Sequence, residues 1–473
     1  MKTIFEQSKT GNRAATIRPL QVEEYVLDKL MLRAELPLPE VSEVDVTRHF
    51  TALSKRAFGV DDGFYPLGSC TMKYNPKLHE EIAGLEGFTN IHPLQPTDRT
   101  QGSLAVLNTL SAFLCEITGM NGMTLQPCAG AHGEYTGLML IGAYHTARHD
   151  NKRKKILIPD SAHGTNPASA AMAGFEVVSV KSNSEKGVDL DNLRELVGED
   201  TAALMLTNPT TLGLFEKNIV EISKIVHEAG GLLYYDGANL NAVMGIVRPA
   251  DMGFDVVHLN LHKTFATPHG AGGPGSGPVG CKSELAKFLP NPYVEKTEQG
   301  FAFADSEKSI GKVTKFYGNF GVCVKALAYI LTLGGKGLKE ASENAVLNAN
   351  YMKARLQDIY ETENDRYCMH EFVISLQKLK DETGVSAMDV AKSMIDRHMH
   401  PPTMYFPMIV HEALMFEPTE TENKETLDCA VEILKELYVE AHNNPEYLHG
   451  APHNAVIKRP DEVRAARNPI VKV

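Results

Sequence analysis

The chain has no CxxC pair, although it carries seven cysteines, and their scattered spacing reads as reduced thiols rather than a disulfide framework. An odd count also excludes complete pairing. No apolar run approaches the roughly 20 residues that cross a bilayer. The opening stretch, MKTIFEQSKTGNRAA, lacks the apolar core of a secretion signal. No internal repeat, low-complexity tract or Gly-Lys-Ser/Thr phosphate loop is present. Basic residues are in deficit: 47 Lys and Arg against 59 Asp and Glu leave a net charge of −12. That sign gives no support to nucleic acid or an anionic membrane as partner. These absences leave a cytoplasmic globular protein as the expectation, and 473 residues give it more than one domain.

Positive signals concentrate between Asp236 and Lys263. Two apolar runs, LLYY (232–235) and VVHL (256–259), each end in a polar, Gly-rich turn. Buried parallel strands end this way. Asp236 closes the first run and Lys263 follows the second. An acid and a lysine just past the C-terminal ends of neighbouring strands share the crevice where open α/β sheets bind ligands. A pyridoxal phosphate enzyme needs this pair. The lysine carries the cofactor as a Schiff base, and the acid keeps the pyridine nitrogen protonated so that the ring accepts electrons. Taken singly, each residue has a blander reading, a solvated loop charge or a turn residue. The flanking His262 and Thr264, in a His- and Gly-rich segment, favour the cofactor.

The rest of the chain supplies a frame for that crevice. Residues 22–33 have helical spacing, and PLPEVSEVD after them is a Pro-broken linker that ends in a helix start. GFYPLGSCTMKYNPK (63–77) is a loop, whose Ser69, Cys70, Thr71, Lys73 and Tyr74 are within reach of a site. Leu104, Leu107, Leu110, Leu114 and Ile117 form the stripe of an amphipathic helix over 103–119. A short strand (122–127) then leads into a buried helix in 128–148. Its Gly- and Ala-rich start offers free backbone N–H groups to a phosphate. His132 in its first turn is placed to stack on a planar ring. Strand and helix alternate from 154 to 236, as in a parallel sheet covered on both faces. The strand ends put His163, Thr165, Asn208 and Thr210 on the same rim, and Asn208 is placed to bond a ring hydroxyl. Gly275-Ser276-Gly277-Pro278-Val279-Gly280 matches GxGxxG by letter, but it opens no helix and is rejected as a dinucleotide site. Beyond about 315 the pattern changes to helices at 319–338, 341–360, 386–398 and 424–443, with strands at 370–379 and 404–419. The expected division is an arm with an active-site loop (1–100), a large cofactor-binding domain (101–325), and a smaller α/β domain with its tail (326–473).

LGSCTMKYNPK, AGAHGEYTG, DSAHGTNPASA, YYDGANLNA, HLNLHKTFATPHGAGGPGSGPVG and MYFPMIV…EPTE together resemble the glycine decarboxylase P-protein family, over residues from about 60 onward. The length fits its subunit 2, the β half of the split form. The resemblance implies a fold-type I pyridoxal phosphate-dependent α/β fold, with a mostly parallel sheet. It implies pyridoxal 5'-phosphate as an aldimine on Lys263, Asp236 at the pyridine nitrogen, His132 on the ring, and Gly130 and Ala131 at the phosphate. It further implies an α2β2 heterotetramer with subunit 1, and the lipoyl arm of H-protein as acceptor of the aminomethyl group left when glycine loses CO2. The alternatives are another fold-type I enzyme, such as an amino acid decarboxylase or a cysteine desulfurase using Cys70 or Cys128, or a non-catalytic paralogue. No spacing argument assigns the glycine carboxylate to Arg99 or Arg248. No metal is expected.

Overall fold

The computed structural model describes residues 1–13, 21–23, 28, 31–33, 36–269, 275–362 and 366–471. The helical spacing over 22–33 falls largely outside them. Two compact units result, Met1–Asp62 and Gly63–Val473. In the first, Ser42 caps the helix Glu43–Ser54 by accepting from Asp45 N–H, the start signalled by the sequence.

The second unit is built on a seven-stranded sheet: β1 (Gly122–Thr124), β2 (Lys155–Pro159), β3 (Glu176–Val180), β4 (Thr201–Thr207), β5 (Leu232–Gly237), β6 (Val256–Leu259) and β7 (Val279–Cys281). Their spatial order is β1-β7-β6-β5-β4-β2-β3. Strands β3, β2, β4, β5 and β6 run parallel, while β7 is antiparallel to both β6 and β1. Alternate residues of the central strands serve two cores. Leu204, Leu206, Leu233, Tyr235, Val257 and Leu259 pack on one face. Ala203, Met205, Leu232, Tyr234 and Val256 pack on the other. Burial on both faces explains why β4–β6 read as continuous apolar runs. The helix Gly130–Ala147 lies against the second face, and there Gly137 is required: a Cβ would stand 2.5 Å from the Tyr234 ring.

The rejected glycine motif runs into β7 rather than out of a strand into a helix, which accounts for the match by letter alone. A two-stranded hairpin, β8 (Tyr293–Thr297) with β9 (Gly300–Ala304), follows. The C-terminal part holds a four-stranded antiparallel sheet, ordered β10 (Glu361–Thr362), β11 (Phe372–Ser375), β13 (Ala413–Phe416), β12 (Thr403–Met404). The two helices expected at 319–338 and 341–360 are present, meeting at a kink at Gly334 (φ +61°, ψ 178°) within the span Phe320–Leu356. That span is long and apolar enough to cross a membrane, yet half of its most apolar window is buried, with Val322, Cys323, Ala326 and Ile330 in the main core. It belongs to the core. Helix Lys424–Asn443 completes the C-terminal part, capped by Asn423.

The 63–77 loop is pinned rather than trailing. Lys73 is 2% exposed and donates to Glu420 Oε1 (2.6 Å), Asn241 Oδ1 (2.9 Å) and Tyr329 OH (3.1 Å). Burial alone would lower its pKa, but Glu420 and Tyr329 reverse this and hold it up at about 12. Lys73 is therefore a buried charge with its partners in place, not a free amine. Lys73→Met is expected to destabilise the fold by about 3–5 kcal/mol, because Glu420 is left without its counter-charge. Chemical denaturation measures this, and an unchanged midpoint would contradict the reading.

Candidate active site

The carboxyl ends of β4, β5 and β6 open onto a cleft of about 280 Å³. Asp236, next to last in β5, faces Thr207 of β4 and His258 of β6 across the ladder. Its carboxylate is 5% exposed. Oδ2 accepts from Asn166 Nδ2 (2.8 Å), Oδ1 accepts from Ala238 N–H (3.1 Å), and His258 Nε2 stands 3.3 Å away. Burial pushes this acid up. The His258 imidazole, the two hydrogen bonds and Lys263 outweigh burial and hold it below the ordinary carboxylate range. Asp236 is thus an ionised acid in a dry wall.

Lys263 follows β6 after a tight turn closed by its N–H on Asn260 O (3.1 Å). It is half-buried on the same cleft, and its Nζ donates to Ser69 O at 2.6 Å. His262, Asn260, Gly130, Ala131, His163, Thr165 and Glu134 also line the cleft. Gly130 and Ala131 open the helix Gly130–Ala147, so its first N–H groups point at the same space. Gly277 lies against that helix start, where a Cβ would come 2.1 Å from Ala129 O.

Other expected residues sit elsewhere. His132 does not line the cleft; its Nδ1 accepts from Cys128 N–H (3.1 Å). Asn208 is 1% exposed and spends Oδ1 on Glu216 N–H (2.9 Å). Thr264 Oγ1 accepts from Leu240 N–H (2.8 Å). Arg99 and Arg248 are tied to Asp98 and Asp251 at the surface.

His269, His370, Glu371 and Asn239 also line the cleft, with Ser69 of the 63–77 loop, and Asn166 reaches Asp236 from behind. Apart from Ser69, none of these was singled out from the sequence, because they come from loops and from the C-terminal part. Among the described lining residues there is no arginine, and Lys263 is the single amine. The three imidazoles near it are neutral. Burial, helped by Lys263, takes His262 to about 3, His269 to about 4 and His370 to about 3.

A primary amine, a buried carboxylate kept ionised and a helix start facing one cleft are the donor set that an aldehyde, a pyridine nitrogen and a phosphate require. Asn260 Oδ1, Asn166 Oδ1 and Glu134 Oε2 are buried there without partners, as expected where a polar group is to be received. Pyridoxal phosphate fits these residues.

The architecture is that of the fold-type I pyridoxal phosphate enzymes. A crystal structure of glycine decarboxylase (P-protein) of the glycine cleavage system matches at TM-score 0.73, with 21% identity over 87% of this chain and 93% of that one. A sphingosine-1-phosphate lyase from Burkholderia pseudomallei matches at 0.63, with 13% identity over 89% and 96%. A cysteine desulfurase from Thermococcus onnurineus matches at 0.61, with 14% identity over 80% and 95%. These establish the fold. Sequence goes further. The family model "Glycine cleavage system P-protein" matches residues 20–300, and "Glycine dehydrogenase, C-terminal domain" matches 341–460. The chain is 62% identical to "Probable glycine dehydrogenase (decarboxylating) subunit 2" of Caldanaerobacter subterraneus, over 99% of this chain and 98% of the relative. Identity to the protein of the same description in Thermotoga maritima is 57%, over 99% of both. This chain belongs to the glycine cleavage system P-protein family, as a subunit 2 of glycine dehydrogenase (decarboxylating), an oxidoreductase.

Proposed function

We propose that this chain carries the glycine-decarboxylating site of its enzyme, with Lys263 holding pyridoxal phosphate covalently and Asp236 paired with the ring nitrogen. The supporting observation is that the amine and the ionised acid line one cleft at neighbouring strand ends. When bound, the cofactor supplies an electron sink for the carbanion left as CO2 departs. The protein residues do the rest. Asp236 keeps a proton on the ring nitrogen, and Asn166 and Ala238 N–H hold its carboxylate in place. Gly130 and Ala131 receive the phosphate on backbone N–H groups. His132 was expected on the ring face; His163 lines the cleft, fixed by Nδ1 on Thr165 Oγ1 at 2.8 Å, so we place the stacking there instead. Ser69 O accepts from the Lys263 amine and would hold it whenever that amine does not carry the cofactor.

The carboxylate of glycine meets no guanidinium among the described residues. A weakly paired carboxylate is less stabilised in the ground state, which favours its loss as CO2. His269 and His370, neutral and facing the cleft, are the groups placed to orient it.

The subunit designation implies a subunit 1. We assign the finer assembly as α2β2, with lipoylated H-protein as acceptor of the aminomethyl group, in the cytoplasm. Val456, Ile457, Val463 and Ile470 expose their side chains on the C-terminal tail, and we assign that tail to covering a neighbouring subunit. The reading is tested by release of labelled CO2 from glycine by the assembled enzyme with lipoylated H-protein. No release under those conditions would reject it.

A desulfurase needs a thiolate. Cys70 lines the cleft, but burial pushes its thiol up, more than Lys263 pulls it down. Cys70→Ala is therefore expected to retain the cofactor absorbance and most of the CO2 release. Loss of turnover with the cofactor still bound would instead make Cys70 a participant.

A further inference from the structure

Glu371 immediately precedes β11 and Glu417 immediately follows β13. Because Phe372 pairs with Phe416 across that ladder, the two glutamates sit next to each other at its end. Both are buried, at 4% and 0% exposure. Glu371 Oε2 accepts from Ser69 N–H (2.8 Å). Glu417 accepts from Thr71 N–H (3.1 Å), Thr71 Oγ1 (2.7 Å) and Asn239 Nδ2 (2.9 Å). One oxygen of each carboxyl and a ring nitrogen of His370 lie within 4.8 Å of one another. The charged and titratable groups facing the pair are Lys263, Cys70 and His370. Lys263 gives its Nζ to Ser69 O, His370 stands 3.8 Å from Glu371 and is neutral, and the Cys70 thiol is pushed up by burial. Among the described residues no lysine or arginine makes an ion pair with either carboxyl. Two adjacent anions without a paired cation are not sustained in a buried site; they retain a proton. Burial acts in the same direction on both, pushing each well above the ordinary carboxylate range.

We propose that Glu371 and Glu417 share one proton, and that Glu371, which lines the cleft, delivers it to the sulfur released when a disulfide co-substrate opens. This rests on the reading given under Proposed function. There, the carbon–carbon bond of glycine breaks, its electron pair forms a carbon–sulfur bond, and the disulfide bond opens with its pair on the departing sulfur. The glycine carbon is oxidised and the disulfide is reduced. The departing sulfur needs one proton, and converting glycine carboxylate to CO2 supplies none. The Glu371 O–H bond breaks to give that proton. The pair then carries two charges, and it recovers a proton from solvent before the next turnover. Held as a single anion, the pair also repels an incoming glycine carboxylate less than a double anion would.

Infrared difference spectra of the assembled enzyme with carbon-13-labelled glutamate test the shared proton directly. The expected result is a protonated-carboxyl stretch that persists at neutral pH, fades as the pH becomes alkaline, and is lost in both Glu371→Gln and Glu417→Gln. Absence of that band in the unsubstituted enzyme, or its survival in both variants, overturns the proposal. So does a stoichiometric metal ion found on His370, Glu371 and Glu417. Delivery is tested separately. Glu371→Gln is expected to lower H-protein-dependent turnover by roughly 10²–10⁴-fold while glycine still perturbs the cofactor spectrum. Unchanged turnover overturns delivery. An enzyme that shows the band but releases no CO2 from glycine rejects the functional reading and leaves the proton pair standing.

Discussion

Lys263→Ala is expected to lose the visible absorbance of bound cofactor and to fall in glycine decarboxylation by on the order of 10⁴-fold or more. The size follows from what the residue alone supplies. Lys263 is the single amine among the described cleft residues, and Lys73, from the loop that also carries Ser69, is locked into the buried network with Glu420, Asn241 and Tyr329. Lys73 cannot take over without breaking that network. The fold should survive, because Lys263 is half-buried and its Nζ hydrogen-bonds to a backbone carbonyl, Ser69 O. A folded variant that keeps the absorbance would place the cofactor elsewhere.

Asp236→Asn is the second large effect, a loss of roughly 10²–10³-fold in kcat with weaker cofactor binding. Asparagine keeps the size, and its single oxygen still accepts from Ala238 N–H; its NH2 pairs with Asn166 once that amide turns its unpartnered Oδ1 inward, so the variant removes the negative charge and re-pairs one hydrogen bond. Without that charge the ring nitrogen is not held protonated, and the electron sink fails. A pH profile sharpens the test. Asp236 is held below the ordinary carboxylate range, so it stays ionised throughout neutral and mildly acidic pH. Its stabilising contribution to the fold is present above the unfolded-state pKa, and is lost only as the pH falls through the lowered folded-state value. The acid limb of activity should therefore not fall at an ordinary carboxylate pKa on account of this group. Normal turnover in the Asn variant would remove Asp236 from the mechanism.

The parts of the fold that were legible share one property: local sequence and burial agree. Helix Lys424–Asn443 has the limits its spacing gave. Asp189 caps Leu190–Leu196 by accepting from Asp191 and Asn192 N–H. The runs LLYY and VVHL are β5 and β6. Where tertiary contacts decide, the reading fell short. The stretch 404–419, read as one strand, is parts of β12 and β13 folded against each other, pairing Met404 with Leu414. The hairpin β8–β9 passed unread.

The site divides along the same line. Asp236 and Lys263 were visible because each ends an apolar run. Glu371, Glu417, His269 and His370 were not, since their importance lies in being brought beside Ser69, Thr71 and Lys263 from distant parts of the chain. No spacing in the sequence encodes that approach. His132 and Asn208 illustrate the converse. Their contexts were suggestive, but His132 turns to Cys128 N–H and Asn208 to Glu216 N–H.

Reducing the cofactor-loaded enzyme with borohydride fixes the cofactor to the amine that carries it, and peptide mass mapping then locates that amine. The account expects the pyridoxyl mass on the peptide containing Lys263 and on no other lysine. Its attachment at Lys73, or at any residue away from the cleft that Asp236 lines, would contradict the account at its centre.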